Sequence, residues 1–399
     1  MNHHKSNSIV AIALLIIPLL GLGIDIYIPS LPSLVNYFFT TKILVQTTLN
    51  IYIFGLGVSQ IIAGNIVDAY GRRIPMIISL IIYAFLCICI INIHSISYMI
   101  WFRFLQGICA GFAAVSARSI FTDLFSGQEY YKKASYMTIA YSIGPVIAPF
   151  IGGYLQHFIG WHANFYFLLF YSLICLILVW RYFPETIIKR HAISVKSILS
   201  KYYSMITHIE FVTGIICLSS LYALLMLFNL VGPFIVQVKL NYSPITFGYI
   251  ALLSGASWFL GMIANRATIH INMNKKISFA TNIAIITIAI MAILAHFWFN
   301  LFVIIIPIYV LLFCSSIIFS CYFVHNPTHF KEYAATASAV TTGSFSLLSA
   351  WIGNTVAHNL STNSQIPLIY GYIILIAICI IARAITYINK SYNVRHSKT

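Results

Sequence analysis

Long apolar runs alternate with short polar breaks along the whole chain. Ile9–Ile24, Ile74–Ile93 and Leu368–Ile381 continue without the inside/outside alternation of a barrel strand, so they read as helices. Runs of roughly twenty residues match the hydrocarbon thickness of a bilayer. In lipid every backbone N–H and C=O needs an internal partner, and an α-helix supplies one within its own segment. Taken between polar punctuation, the runs predict spans near 9–37, 44–67, 74–93, 97–122, 132–157 and 162–183. A second set follows near 209–237, 244–266, 277–297, 301–324, 335–359 and 367–388.

The expected fold class is all-α integral membrane, with twelve transmembrane helices in two six-helix bundles. The bundles are expected at 1–183 and 208–399, the second ending in a short basic tail, with a basic cytoplasmic linker at 184–207 between them. Six spans, a linker and six spans is the arrangement of a duplicated transporter. A faint internal repeat agrees: Tyr27-Ile28-Pro29 is followed by Lys42, and Val231-Gly232-Pro233 by Lys239.

Composition removes the soluble alternative. Hydrophobic residues make up 60% of the chain and charged ones 7%, too few to wet an exterior. The net charge of +15 suggests nucleic acid until its placement is considered. Arg72, Arg73, Lys132, Lys133, Arg181, Lys196, Lys201, Arg266, Lys275, Lys276 and Lys331 fall in every second connection, whereas those near 94, 160, 297 and 360 contain no Lys or Arg. That asymmetry is the positive-inside pattern and sets both termini in the cytoplasm. The expected partners are membrane lipid and a small-molecule substrate, with no nucleic acid, for a chain working as a monomer. Neither the cysteines nor the histidines have ligand spacing, so no metal or cofactor is implied. There is no Gly-x-Ser-x-Gly and no His-Glu-x-x-His, which argues against a membrane-embedded enzyme.

With only seven acidic residues, each can be weighed. Glu129, Glu185 and Glu332 lie in connections and Asp123 and Glu210 at helix ends, where solvated surface is the expectation. Asp25 lies roughly 24 Å along the first helix, where a carboxylate is costly and by default functional. Arg103, well inside the fourth span, is its natural partner, either as a coupling pair or as a purely structural one. Gly64, Asp68, Gly71, Arg72 and Arg73 mark a turn after the second span that reads as a charged gate or as a basic loop that sets topology. In the fifth span Gly144, Pro145, Pro149, Gly152 and Gly153 predict a kinked, tightly packed seam. Tyr27, Asn50, Tyr52, Gln106, Tyr141, Phe228, Asn229 and Gln237 are polar or aromatic groups on inward faces, suited to a midplane substrate cavity or to packing.

These residues also carry a resemblance. Leu22-Gly23-Ile24-Asp25-Ile26-Tyr27-Ile28-Pro29-Ser30-Leu31-Pro32 resembles the first-helix motif of the Bcr/CflA drug-resistance transporters, a branch of the major facilitator superfamily. Gly64–Arg73 resembles the superfamily's loop between helices two and three, Arg103-Phe104-Leu105-Gln106-Gly107 its fourth-helix motif, and Gly144–Gly153 the antiporter motif of helix five. The resemblance implies the major facilitator fold and proton-coupled export of drug-like molecules by alternating access in a bacterial inner membrane. It makes Asp25 the proton-coupling carboxylate, Arg103 the buried arginine, and Asp68 with Arg72 and Arg73 the cytoplasmic gate. The proton would be the coupling ion. Ala69 departs from the pattern where Arg is usual, which thins the gate's charge network. A metabolite or siderophore transporter on the same fold is the nearest rival.

Overall fold

The computed structural model describes residues 3–125, 127–187, 195–358, 360 and 364–396, and its architecture is helical. Lys189 and Arg190 of the expected linker lie outside the described residues. The first predicted span is the one that breaks. It comprises α1 (His3–Ile16), α2 (Leu19–Asp25), a 3₁₀ turn (Ile28–Ser30) and α3 (Leu31–Tyr37). Pro18, Pro29 and Pro32 offer no N–H to the carbonyls four residues before them, so the ladder fails at these points. The chain tightens there, with Ser30 N–H donating to the Tyr27 carbonyl at 2.8 Å.

The remaining spans of the first half are continuous: α4 (Lys42–Tyr70), α5 (Arg73–Ile91), α6 (Ile96–Leu124), α7 (Gly127–Phe158) and α8 (His162–Tyr182). Thr41 caps α4, its hydroxyl accepting from Leu44 N–H at 3.4 Å. Gly71 ends the helix at φ +100, a conformation that strains any residue with a Cβ. The second half runs α9 (Val195–Ile206), α10 (Ile209–Pro233), a π-helical turn (Phe234–Lys239), α11 (Pro244–Ala267), α12 (Met273–Phe297) and α13 (Leu301–His325). A 3₁₀ stretch (Asn326–Tyr333), α14 (Ala334–His358) and α15 (Ile366–His396) complete it.

Every predicted span coincides with a helical run, most ends agreeing within a turn or two. Among the described residues, ten runs are long and apolar enough to cross a membrane. The spans expected at 132–157 and 335–359 are carried by α7 and α14, which have the length but a more polar make-up. In α14 the hydroxyls are absorbed by the helix itself: Thr342 donates to the Ser338 carbonyl at 2.8 Å and Ser346 to Thr342 at 2.8 Å. The outward faces fit lipid. On α5, Ile78, Ile81, Ile82, Phe85 and Ile88 are exposed, while Leu80, Tyr83, Ala84 and Cys87 are buried on the opposite side.

By packing, the chain divides into two compact units. One joins Met1–Ile193 to Val236–Gly255; the other joins Ser194–Ile235 to Ala256–Thr399. In the first unit α4 packs along α6, α5 lies against α6 and α8, and α7 lies against α2. In the second, α10 is surrounded by α13, α14 and α15, and α12 packs on α13.

Candidate functional site

The first unit gathers its buried polar groups around the break in the first span. Asp25 is the last residue of α2 and is 1% exposed. Close approach by α7 holds it there. A Cβ on Gly21 would stand 2.8 Å from the Pro145 ring and 2.9 Å from the Gly144 Cα, and one on Gly152 would strike the Ile26 carbonyl. Gly144 and Gly152 thus let the backbone of α7 lie against the residues on either side of Asp25. Gly153 approaches the Pro244 carbonyl at 2.6 Å from its would-be Cβ, and Pro149 lies against Gly248, so the same stretch also meets the start of α11. At the break itself Gln237 Nε2 donates to the Pro29 carbonyl at 2.9 Å.

Arg103 on α6 is fully buried. The sequence paired it with Asp25; the hydrogen bonds of its guanidinium run to the Gly23 carbonyl at 2.6 Å and to Gln106 Oε1 at 2.9 Å. Its Cζ lies 4.6 Å from the Tyr27 ring centroid and 4.2 Å from that of Tyr52, with Phe165 at 5.9 Å. A cation so far from water is stabilised by ring faces on both sides and by charge-assisted hydrogen bonds. These partners are themselves tied down. Tyr27 hydroxyl meets Thr48 Oγ1 at 3.1 Å, and Gln106 Nε2 reaches Cys87 Sγ at 3.1 Å. Arg103 Nε has no hydrogen-bond partner among the described residues. The guanidinium is therefore fastened to the backbone two residues before Asp25, with its Nε–H left over.

Of the other groups expected to line a cavity, Asn50 is buried on α4 and Tyr141 on α7 lies 5.8 Å from the Arg118 guanidinium. Phe228 and Asn229 are packed inside α10, 0% and 5% exposed. Tyr27, Tyr52 and Gln106 are the ones that converge on Arg103.

A second polar cluster closes the end of the first unit that carries Gly71. Arg72 pairs with Asp68 one turn back and with Asp123 at the end of α6, at 3.0 Å from Nε and 3.3 Å from Nη2. Burial pulls the Arg72 guanidinium down, but hydrogen bonds to Asp123 and Asp68 outweigh it and hold its pKa above the usual arginine range. Glu185, just past α8, accepts from Arg72 N–H at 2.9 Å and Arg73 N–H at 3.2 Å, capping the start of α5. Thr186 hydroxyl donates to Asp123 at 2.8 Å, and Arg73 Nη2 to the Trp180 carbonyl at 2.8 Å. Gly64, by contrast, has open space where a Cβ would stand.

Asp123, expected to be solvated surface, is instead largely buried against Arg72. Glu185 is exposed, as expected, but its carboxylate accepts from backbone N–H groups. Their partners lie 51 and 113 residues away in sequence, beyond any local spacing signal. The interlock ties the α4–α5 turn, the end of α6 and the segment after α8 into one piece. Asp123→Ala should leave Arg72 on Asp68 alone and cost about 1–3 kcal/mol. It should show as a lower unfolding temperature of the purified protein, with Glu129→Ala as the unaffected control; equal temperatures would remove Asp123 from the interlock.

Comparison with known proteins adds to this geometry. A family model described as Major Facilitator Superfamily matches residues 13–354. A bicyclomycin resistance protein homolog of Haemophilus influenzae is 30% identical over 197 residues, 49% of this chain and 50% of that protein. The chloramphenicol resistance protein of Pseudomonas aeruginosa is 28% identical over 46% of this chain and 45% of its own. Multidrug resistance protein D of Escherichia coli is 25% identical over 47% of each. The matched region thus spans about half the length of these curated relatives. Among solved structures, a POT family transporter in complex with 5-aminolevulinic acid superposes with a TM-score of 0.74 at 12% identity, covering 94% of this chain and 96% of that one. A D-xylose-proton symporter gives 0.73 at 16% identity, again over 94% and 96%. At such identities the likeness concerns the fold.

Proposed function

Because the chain belongs to the major facilitator superfamily, and so is a transporter rather than an enzyme, we propose that it is a proton-coupled antiporter exporting small drug-like molecules. It would work by alternating access in a bacterial inner membrane, as a monomer with both termini in the cytoplasm. The observation that carries this reading is the carboxylate at the break of the first span. Asp25 ends α2 inside a membrane-spanning segment, two residues after the carbonyl that holds the buried Arg103 cation. An ionisable group at a broken helix is where a coupling ion is exchanged. The relatives named for resistance to bicyclomycin, chloramphenicol and multiple drugs support export of toxic compounds.

The second unit supports planar substrates. Trp258 and Phe319 pack at 5.4 Å between ring centroids, Phe319 and Phe345 at 5.3 Å, and Tyr222 and Phe345 at 5.5 Å. At roughly 100° per residue, Trp258 points away from the lipid-exposed Leu253, Leu260 and Ile263, and Phe319 away from Ile306, Val310 and Val324. Both rings are only half-buried, so part of each remains uncovered. An uncovered ring takes flat aromatic molecules by stacking.

Proteoliposomes test the proposal with ethidium, a planar dye whose permanent charge prevents weak-base trapping. An acidic lumen should drive its accumulation, since protons leave as the dye enters. Trp258→Ala should raise the half-saturating concentration about fivefold to tenfold, the equivalent of about 1–1.5 kcal/mol of stacking. Accumulation driven by an acidic bath would identify symport and overturn antiport.

A further inference from the structure

Helix α9 falls within the stretch that the sequence predicts as a polar linker, yet it has two apolar faces. One is occupied. Met205 is fully buried in a cluster with Phe211, Ile215, Ala337 and Val340, and Tyr202, Phe330 and Tyr333 pack around it. Ser204 hydroxyl meets Tyr333 hydroxyl at 2.9 Å, and Lys201 Nζ lies 5.8 Å from the same ring. The other face is bare. Leu199, Tyr203 and Ile206 are 61%, 68% and 66% exposed. Their spacing keeps them within roughly 60° of one another on the helix, and roughly 100° from the docked face.

We propose that this bare stripe lies in the headgroup region of an anionic leaflet, making α9 an interfacial helix that recognises acidic phospholipid. Depth is set by the chain. Ile206 is three residues before α10 begins at Ile209, itself 46% exposed, so the stripe continues the lipid-facing surface of a membrane-spanning helix. Charge selects the lipid. Lys196 is exposed and flanks the stripe, and Lys189 and Arg190 precede the helix in sequence. No acidic residue falls between Thr186 and Ile209. Basic residues beside an apolar stripe are the composition that binds in the plane of an anionic interface. Because the other face is fixed to α10, the 3₁₀ stretch Asn326–Tyr333 and α14, lipid charge acts directly on the end of the second unit.

The test uses the full-length protein in nanodiscs of phosphatidylcholine alone or mixed with phosphatidylglycerol. Backbone amides of residues 198–206 should exchange several-fold more slowly in the anionic discs, and the difference should collapse in high salt. Lys196→Glu should erase most of the lipid dependence while leaving the protein folded. A Tyr203→Trp variant gives an independent readout. Its added fluorescence should be quenched by brominated phosphatidylglycerol more than by brominated phosphatidylcholine. Equal exchange in both lipids, or added fluorescence that neither brominated lipid quenches, would overturn the proposal.

Discussion

Asp25→Asn is expected to abolish proton-driven accumulation while leaving the protein folded and able to exchange substrate. Asn matches Asp in size and in its acceptor oxygen, so the close packing of Gly21 on Gly144 and of Ile26 on Gly152 has no reason to change. What it lacks is a titratable proton. One proton moved across one pH unit supplies about 1.4 kcal/mol, a concentration ratio of about tenfold. In proteoliposomes the variant's accumulation ratio should fall from that level to unity. Its counterflow of labelled for unlabelled substrate, which needs no net proton transfer, should stay near the wild-type rate. The same variant should release no protons when substrate is added to the detergent-solubilised protein. Undiminished proton release from Asp25→Asn would move the coupling site elsewhere. Among the groups described, Asp68 and Asp123 are already committed to Arg72.

The spans themselves were legible because a membrane helix announces itself by length and apolarity, and both are properties of consecutive residues. The break in the first span was partly legible. Pro29 and Pro32 stand beside Asp25 in the sequence, but the ladder's division into two short helices and a 3₁₀ turn depends on how α7 packs against it. Helix α9 was missed because its five serines and lysines among twelve residues blur the apolar count. The signal was present at Ile198, Tyr202 and Met205, and again at Leu199, Tyr203 and Ile206, as two helical stripes side by side. Long-range polar contacts were not legible at all. Nothing near Glu185 in sequence predicts that it will accept from Arg72 and Arg73 N–H, because backbone donors look alike everywhere.

Arg103 is the residue where that blindness matters most. Sequence logic seeks a carboxylate for a buried cation, yet the guanidinium is held by a carbonyl, an amide and two ring faces. Those partners use the planar fork in a way an ammonium cannot reproduce. Arg103→Lys keeps the charge but cannot span Gly23 and Gln106 while lying flat between Tyr27 and Tyr52. Transport should drop at least tenfold, with membrane insertion unchanged. Arg103→Met removes the charge at similar length and leaves the Gly23 carbonyl and Gln106 Oε1 without their donor, costing about 1–3 kcal/mol each. The unfolding temperature should fall accordingly. The Nε donor has no partner among the described residues, and a shift of the first span would be needed to offer it to the carboxylate two residues beyond Gly23. If Asp25 and Arg103 act through that donor, Asp25→Asn and Arg103→Met are not independent, and the double variant should transport no worse than the poorer single one. Additive losses in that cycle, or wild-type transport by Arg103→Lys, would reduce Arg103 to a brace for α2 and α6.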